Sequence, residues 1–253
     1  MPKLRMKYDP NVINHLGLNM YNKLPSALSE LIANAWDADA TLVEITHDEA
    51  ANEIVVADNG SGMSFEDIQD QYLRIGRNKR KAANSDSSPK LGRKVMGRKG
   101  LGKLAGFGIA NVVQVKTIKD GILTEFKMDF SKMTATDDGE GNTVDYEPEI
   151  ISAREFAQAL DGTTVFLKEI RLSRFHWRNA KEEIARRFLT FKDGLVVKVL
   201  NEELSAELYD IETKCENVWR INNSDDTFSL GDGKVTIKIG GEDRDVFIDG
   251  WIG

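Results

Sequence analysis

Apolar positions recur at helical spacing in residues 22–40, NKLPSALSELIANAWDADA, where Leu28, Leu31, Ile32 and Ala35 form one stripe. Asn22 stands before the stripe as an N-cap, and Pro25 is tolerated in a first helical turn. The period then changes. TLVEIT (41–46) and NEIVVADNG (52–60) read as strands joined by a polar turn. SFEDIQDQYLRIG (64–76) opens on a Ser64…Asp67 pair suited to capping a further helix. Periodicity disappears from Asn78 to Lys99, which predicts a long polar loop, and loops of that kind are usually functional or disordered. KLAGFGIANVV (103–113) predicts a helix running into a strand. VVQVKTIKDGILTEFKMDF (112–130) predicts a hairpin turning at Lys119-Asp120-Gly121. Residues 134–145 read as a second polar loop, 162–170 as a strand, 178–191 as a helix and 194–200 as a further β segment. The stretch 233–253 again alternates like strands.

This order predicts an α/β (α+β) sandwich with helices on one face of a mixed sheet. It lacks the regular alternation of a doubly wound fold, and no internal repeat is visible. The division expected is a first domain over 1–192 and the β-rich start of a second over 193–253. The chain is expected to be a segment of a longer protein.

Composition narrows the class. A 253-residue chain with 41% hydrophobic and 30% charged residues suits a soluble globular fold. The net charge of −7 gives no general attraction to nucleic acid or anionic membrane. The single Cys215 excludes an internal disulfide, and His15, His47 and His176 share no ligand spacing. No signal peptide or run of membrane-span length is apparent, so a cytoplasmic location is expected.

Three constellations carry chemistry. Glu30, Asn34 and Asp37 lie at i, i+4 and i+7, on one face of the first helix. An amide oxygen there suits a hard cation such as Mg²⁺, and the carboxylate suits proton abstraction from water. A solvated polar helix face shows the same pattern. Second, VVADNGSGM ends a strand on Asp58 and follows it with Gly60, Gly62 and Met63. An ionised carboxylate is acceptor-only and can receive an exocyclic amine; the glycines admit a flat ring, and Met63 offers it a soft surface. A plain Asp-Asn-Gly turn is the competing reading.

The third is GRKGLGKLAGFG, Gly97 to Gly108. It imitates a Walker A loop, but Leu104 stands where Ser or Thr is needed and no buried strand precedes it. The spacing of Gly100, Gly102 and Gly106 is one residue too long for a dinucleotide fingerprint. What survives is unhindered backbone N–H groups before a helix N-terminus, which attract phosphate. Eleven basic residues between Arg74 and Lys103 face the single Asp86. A solvated charge run or a nucleic-acid patch would look alike.

In order and spacing these motifs resemble the GHKL ATPase superfamily, which includes the DNA gyrase B subunit, the ninety-kilodalton heat-shock chaperone, histidine kinases and MutL. ELIANAWDADA resembles its N-box, DNGSGM its adenine motif, GRKGLGK the end of its ATP lid, and GTTVFL its later Gly-Thr strand. The resemblance covers roughly residues 20–170, and the N-box and basic lid look most like the MORC and chaperone-like branches. It implies a Bergerat-type fold and the cofactors ATP and Mg²⁺. It implies that Asp58 receives the adenine amino group with Thr163 beside it, and that Gly60, Gly62 and Met63 line the ring. Asn34 would hold Mg²⁺ and Glu30 would be the general base. Gly100, Leu101, Gly102, Lys103 and Leu104 would contact phosphates through the lid, joined by Asn78 and Lys79.

The expected function is therefore slow Mg²⁺-dependent ATP hydrolysis with lid closure and homodimerisation. A non-hydrolysing nucleotide sensor within a larger defence or DNA-associated protein is the alternative. Nucleic-acid binding through the basic lid is a third reading. Histidine kinase chemistry is opposed by Glu30, which the resembling kinases lack.

Overall fold

In the computed structural model the first helix, α1, runs from Leu24 to Asp37. The residues described are 3–8, 22–74, 87–96, 102–134, 144–155, 160–188 and 194–204, the side chains of Lys7, Lys103 and Val144 aside. The backbone of 219–221, 234–239, 242–247 and 250–252 is also described. Leu24, Ala27, Leu28, Leu31, Ile32 and Ala35 are buried on α1, as their i, i+3, i+4 spacing dictates. The N-cap is Lys23 rather than the expected Asn22, and its side chain makes no capping bond. The helix ends because Asp39 turns left-handed (φ 62°), while the Ala40 N–H closes back on the Ala35 carbonyl at 3.0 Å.

The strands are β1 (Met6–Tyr8), β2 (Leu42–Asp48), β3 (Glu53–Asp58), β4 (Ala110–Lys119), β5 (Ile122–Asp129), β6 (Val144–Tyr146), β7 (Glu149–Glu155), β8 (Gly162–Ile170), β9 (Val196–Val199) and β10 (Glu202–Glu203). Eight of them form one sheet in the order β10-β9-β2-β3-β8-β4-β5-β7. Only the β2–β9 pair is parallel; the other neighbours run antiparallel. The mixed α/β sandwich expected from the element order is thus what forms.

The inward residues Val43, Ile45, Ile54, Val56, Val113, Val115 and Leu167 join the α1 stripe in one core. Helix α4, Trp177–Phe188, adds Ala180, Ile184, Ala185 and Phe188 and packs beside α1. Two shorter helices, α2 (Phe65–Asp67) and α3 (Phe130–Thr134), fill corners. The predicted capping pair forms: Ser64 Oγ accepts the Asp67 N–H at 3.1 Å, and Asp67 Oδ2 accepts the Ser64 N–H at 3.0 Å. The helix it starts is one α turn, continued by a π turn over Ile68–Tyr72. The β4–β5 hairpin turns at Asp120-Gly121, both with positive φ, as two-residue hairpins require.

Three expectations change. Residues 103–113 contain no α-helix: Gly102–Gly108 is a 3₁₀ turn that passes into β4. Gly106 allows this close approach, since a Cβ there would stand 2.7 Å from Leu167 Cδ2. The loop predicted at 134–145 ends in β6, which pairs with β1. Tyr8 and Tyr146 then donate and accept across this corner, Tyr8 Oη to the Met133 carbonyl at 2.6 Å and the Asp129 N–H to Tyr146 Oη at 2.9 Å. The main sheet also crosses the boundary expected at residue 193, because β9 pairs directly with β2 and β10 with β9. Later strands form two separate ribbons, β11 (Trp219–Ile221) with β14 (Gly250–Ile252) and β12 (Lys234–Ile239) with β13 (Glu242–Phe247).

Candidate functional site

Asp58 is the last residue of β3, directly opposite Thr163 on β8. Its Oδ1 accepts the Gly60 N–H at 2.8 Å, and the Thr163 N–H also donates to its carboxylate. Burial pushes its pKa up to about 6, against the pull of these two donors. At neutral pH the group is still mainly an anion, held at the rim of the sheet with acceptor capacity left over.

The loop after Asp58 is shaped by the protein's own packing. A Cβ at Gly60 would lie 2.8 Å from the Ala38 carbonyl oxygen. Gly62 has φ +61°, and its Cβ would lie 1.9 Å from the Ile118 carbonyl oxygen. The glycines are therefore required by backbone approach, whatever ring the loop also admits. The Met63 N–H is fixed by Thr117 Oγ1 at 2.9 Å. Thr117 is fully buried, and its hydroxyl lies 3.2 Å from both the Gly162 carbonyl and Thr163 Oγ1. One hydroxyl thus ties the 58–63 loop to β4 and β8. Sequence reasoning missed Thr117, because a Thr in an alternating strand carries no signal of its own.

Glu30 and Asn34 stand on the partly exposed side of α1, one turn apart. Glu30 meets the 3₁₀ turn: a Cβ on Gly102 would lie 2.2 Å from its Oε2. Two motifs separated by some seventy residues are thereby brought together. Burial raises the Glu30 pKa above the usual carboxylate range; the Arg187 charge opposes this and Asp37 adds to it. Such a group is closer to the proton affinity a base needs near neutrality. Asp37 is used differently: its Oδ1 accepts the Met96 N–H at 2.7 Å and so anchors the segment leading to the glycines. Among the described residues, no group of three or more His, Cys, Asp or Glu could hold a metal ion. A cation at Asn34 would therefore take most of its oxygens from a ligand and from water, the habit of Mg²⁺.

Leu104 is the expected phosphate contact that the fold turns inward. Its side chain is 1% exposed and belongs to the core, so any phosphate contact there is confined to backbone. Gly100, Leu101, Asn78 and Lys79 lie outside the described residues, as does the Lys103 side chain.

The described part of the basic stretch, 87–96, is pinned to the end of α1. Asp39, itself buried, accepts the Ser88 hydroxyl, the Lys90 N–H at 2.8 Å and the Leu91 N–H at 3.2 Å. Burial raises its pKa, but these donors and the Arg93 charge outweigh burial and hold it below the usual range. Arg93 lies over the Trp36 ring at 4.3 Å and donates to the Ala40 carbonyl at 2.5 Å and the Gly194 carbonyl at 2.9 Å. The Trp36 Nε1–H donates to the Lys94 carbonyl at 3.0 Å. Arg93 is thus an internal strut, not a free charge for a polyanion.

Comparison with known proteins decides the family. Residues 21–163, more than half of the chain, match the family described as histidine kinase-, DNA gyrase B- and HSP90-like ATPase. The chain belongs to this ATPase family. Over 98% of its length it is 33% identical to a Herpetosiphon aurantiacus protein named provisionally as the type II restriction enzyme HgiDII, and it spans 41% of that protein. A 55-residue segment, 21% of the chain and 9% of the relative, is 42% identical to the DNA mismatch repair protein MutL of Listeria monocytogenes. The MutL of Listeria welshimeri matches over the same shares with the same identity. The eight-stranded mixed sheet with α1 against it is consistent with this ATPase family. Among the described residues, no helix is long and apolar enough to cross a membrane.

Proposed function

We propose that this domain binds ATP with Mg²⁺ and hydrolyses it slowly, using nucleotide-dependent closure of the lid that ends in the Gly97–Lys103 glycines as a switch that favours homodimerisation. The observation that carries this reading is the contact of Gly102 with Glu30, which joins the lid's glycines to a carboxylate of raised pKa. Asp58 accepts the adenine amino group, with Thr163 and Thr117 fixing its surroundings and Gly60, Gly62 and Met63 lining the ring. Asn34 supplies one oxygen to Mg²⁺, which when bound neutralises charge on the phosphates. Glu30 takes the proton of the attacking water. Gly100, Leu101, Gly102, Lys103 and the Leu104 backbone close over the phosphates.

The likeness to a protein named as a restriction enzyme, over nearly the whole chain, favours a second reading. Here the domain is a nucleotide-responsive module within a larger DNA-acting protein, and strands beyond residue 204 begin the next unit. The two readings separate on hydrolysis. Titration with a non-hydrolysable ATP analogue, with and without Mg²⁺ and on Asn34→Ala, tests the binding that both require. Saturable, Mg²⁺-enhanced binding that loses its Mg²⁺ dependence in Asn34→Ala is expected; the same affinity in all conditions would remove Asn34 from the site.

A further inference from the structure

We propose a second anion site, for a phosphate-class oxyanion, in the groove between the first two turns of α1 and the last turn of α4. The groove is lined by Pro25, Ser26, Ser29, Glu183, Arg186 and Arg187. It adjoins the Glu30–Asn34 face, since Ser26 stands one turn before Glu30 and the Arg187 charge reaches the Glu30 carboxylate, while Ser29 is turned about 100° from Glu30.

The groove begins at an open helix start. The 14-residue α1 has no side-chain cap on Lys23 and no acidic residue in its first turn. Pro25 has no N–H and the Ala27 N–H bonds to the Lys23 carbonyl at 3.1 Å, so the Leu24 and Ser26 amides carry the partial positive charge that favours an anion.

The second observation is independent of the helix end. Ser29 is 3% exposed, yet it lines this groove and has no hydrogen-bond partner among the described residues. A buried hydroxyl without a partner is uncommon and costly, and an oxyanion oxygen would accept its proton. Above it, Arg186 and Arg187 line the same groove, and neither has a carboxylate within ion-pair distance among the described residues. Guanidinium forks match phosphate oxygens in pairs. Glu183 is the one acidic lining residue, so the side chains carry a net positive charge toward the ligand. Two arginines and a buried serine thus line one groove at the start of α1.

The test is calorimetric titration of the chain with inorganic phosphate at constant ionic strength, after saturation with a non-hydrolysable ATP analogue. Methyl phosphate serves as a second arm. The titration is repeated on the Arg186→Gln/Arg187→Gln double variant and on Ser29→Ala, with circular dichroism to confirm folding. We expect one saturable phosphate site, weakened about tenfold or more in the double variant and several-fold in Ser29→Ala. Binding of both phosphates identifies a monoester site, and binding of inorganic phosphate alone identifies a free-ion site. Absence of saturable binding, or binding unchanged in either variant, overturns the proposal. If the analogue itself does not bind, the variants still read the groove on the free protein, so the two readings fail separately.

Discussion

Gly102 lies against Glu30 so closely that a methyl group on the glycine would stand 2.2 Å from the carboxylate oxygen. The obstacle is the far end of a flexible side chain, so Gly102→Ala is expected to fold while turning the Glu30 carboxylate aside. Turnover should fall about a hundredfold, the usual worth of a positioned base, with analogue affinity changed far less. Steady-state hydrolysis and calorimetry on the same preparation check this split.

Asp58 gives a pH signature. Burial sets its pKa at about 6, above its ordinary value of 3.8. Adenosine, which carries no phosphate to titrate, is expected to lose about tenfold in affinity per pH unit below that value, as the acceptor protonates. The stability sign runs the other way. A raised carboxylate pKa means the ionised group costs stability above pH about 6, and that cost fades as pH falls toward 3.8. Asp58→Asn should therefore lose adenosine binding while its Tm at pH 7 is no lower than that of the parent.

Gly62→Ala should damage the fold itself. The residue has φ +61°, and its Cβ would strike the Ile118 backbone at 1.9 Å. We expect a loss of about 2 kcal/mol or more, read by urea or thermal denaturation. Stability equal to that of the parent would show that the 58–63 loop is not held against β4 as described.

Arg93→Ala should loosen the attachment of the lid. It removes the bonds to the Ala40 and Gly194 carbonyls and the contact with Trp36. A destabilisation of about 2–3 kcal/mol is expected, accompanied by faster hydrogen exchange at Ser88, Lys90 and Leu91. A variant that weakens polyanion binding without either change would instead make Arg93 a surface charge.

What was legible in the sequence follows from locality. The α1 stripe, the Ser64–Asp67 box and the Asp120-Gly121 turn are set by residues a few positions apart, and each is present in the structure. The β2–β9 pairing is not local: Leu42 meets Val196 across more than a hundred and fifty residues, and no periodicity in either segment announces it. The 3₁₀ turn at Gly102–Gly108 was missed for a related reason, since Gly106 is fitted to Leu167 and Val113 on distant strands. At the candidate site, Glu30, Asn34 and Asp58 stood out by type and spacing. Thr117 did not, and Arg93 looked like any other member of a basic run until its carbonyl partners were known.

Glu30→Ala, measured for ATP turnover and for analogue binding in parallel, tests the role of Glu30 most directly. The parent is expected to hydrolyse ATP, and the variant to lose about a hundredfold or more in rate while its analogue affinity stays within about threefold. A parent without turnover, or a variant that retains it, would contradict the assignment of Glu30 as the base.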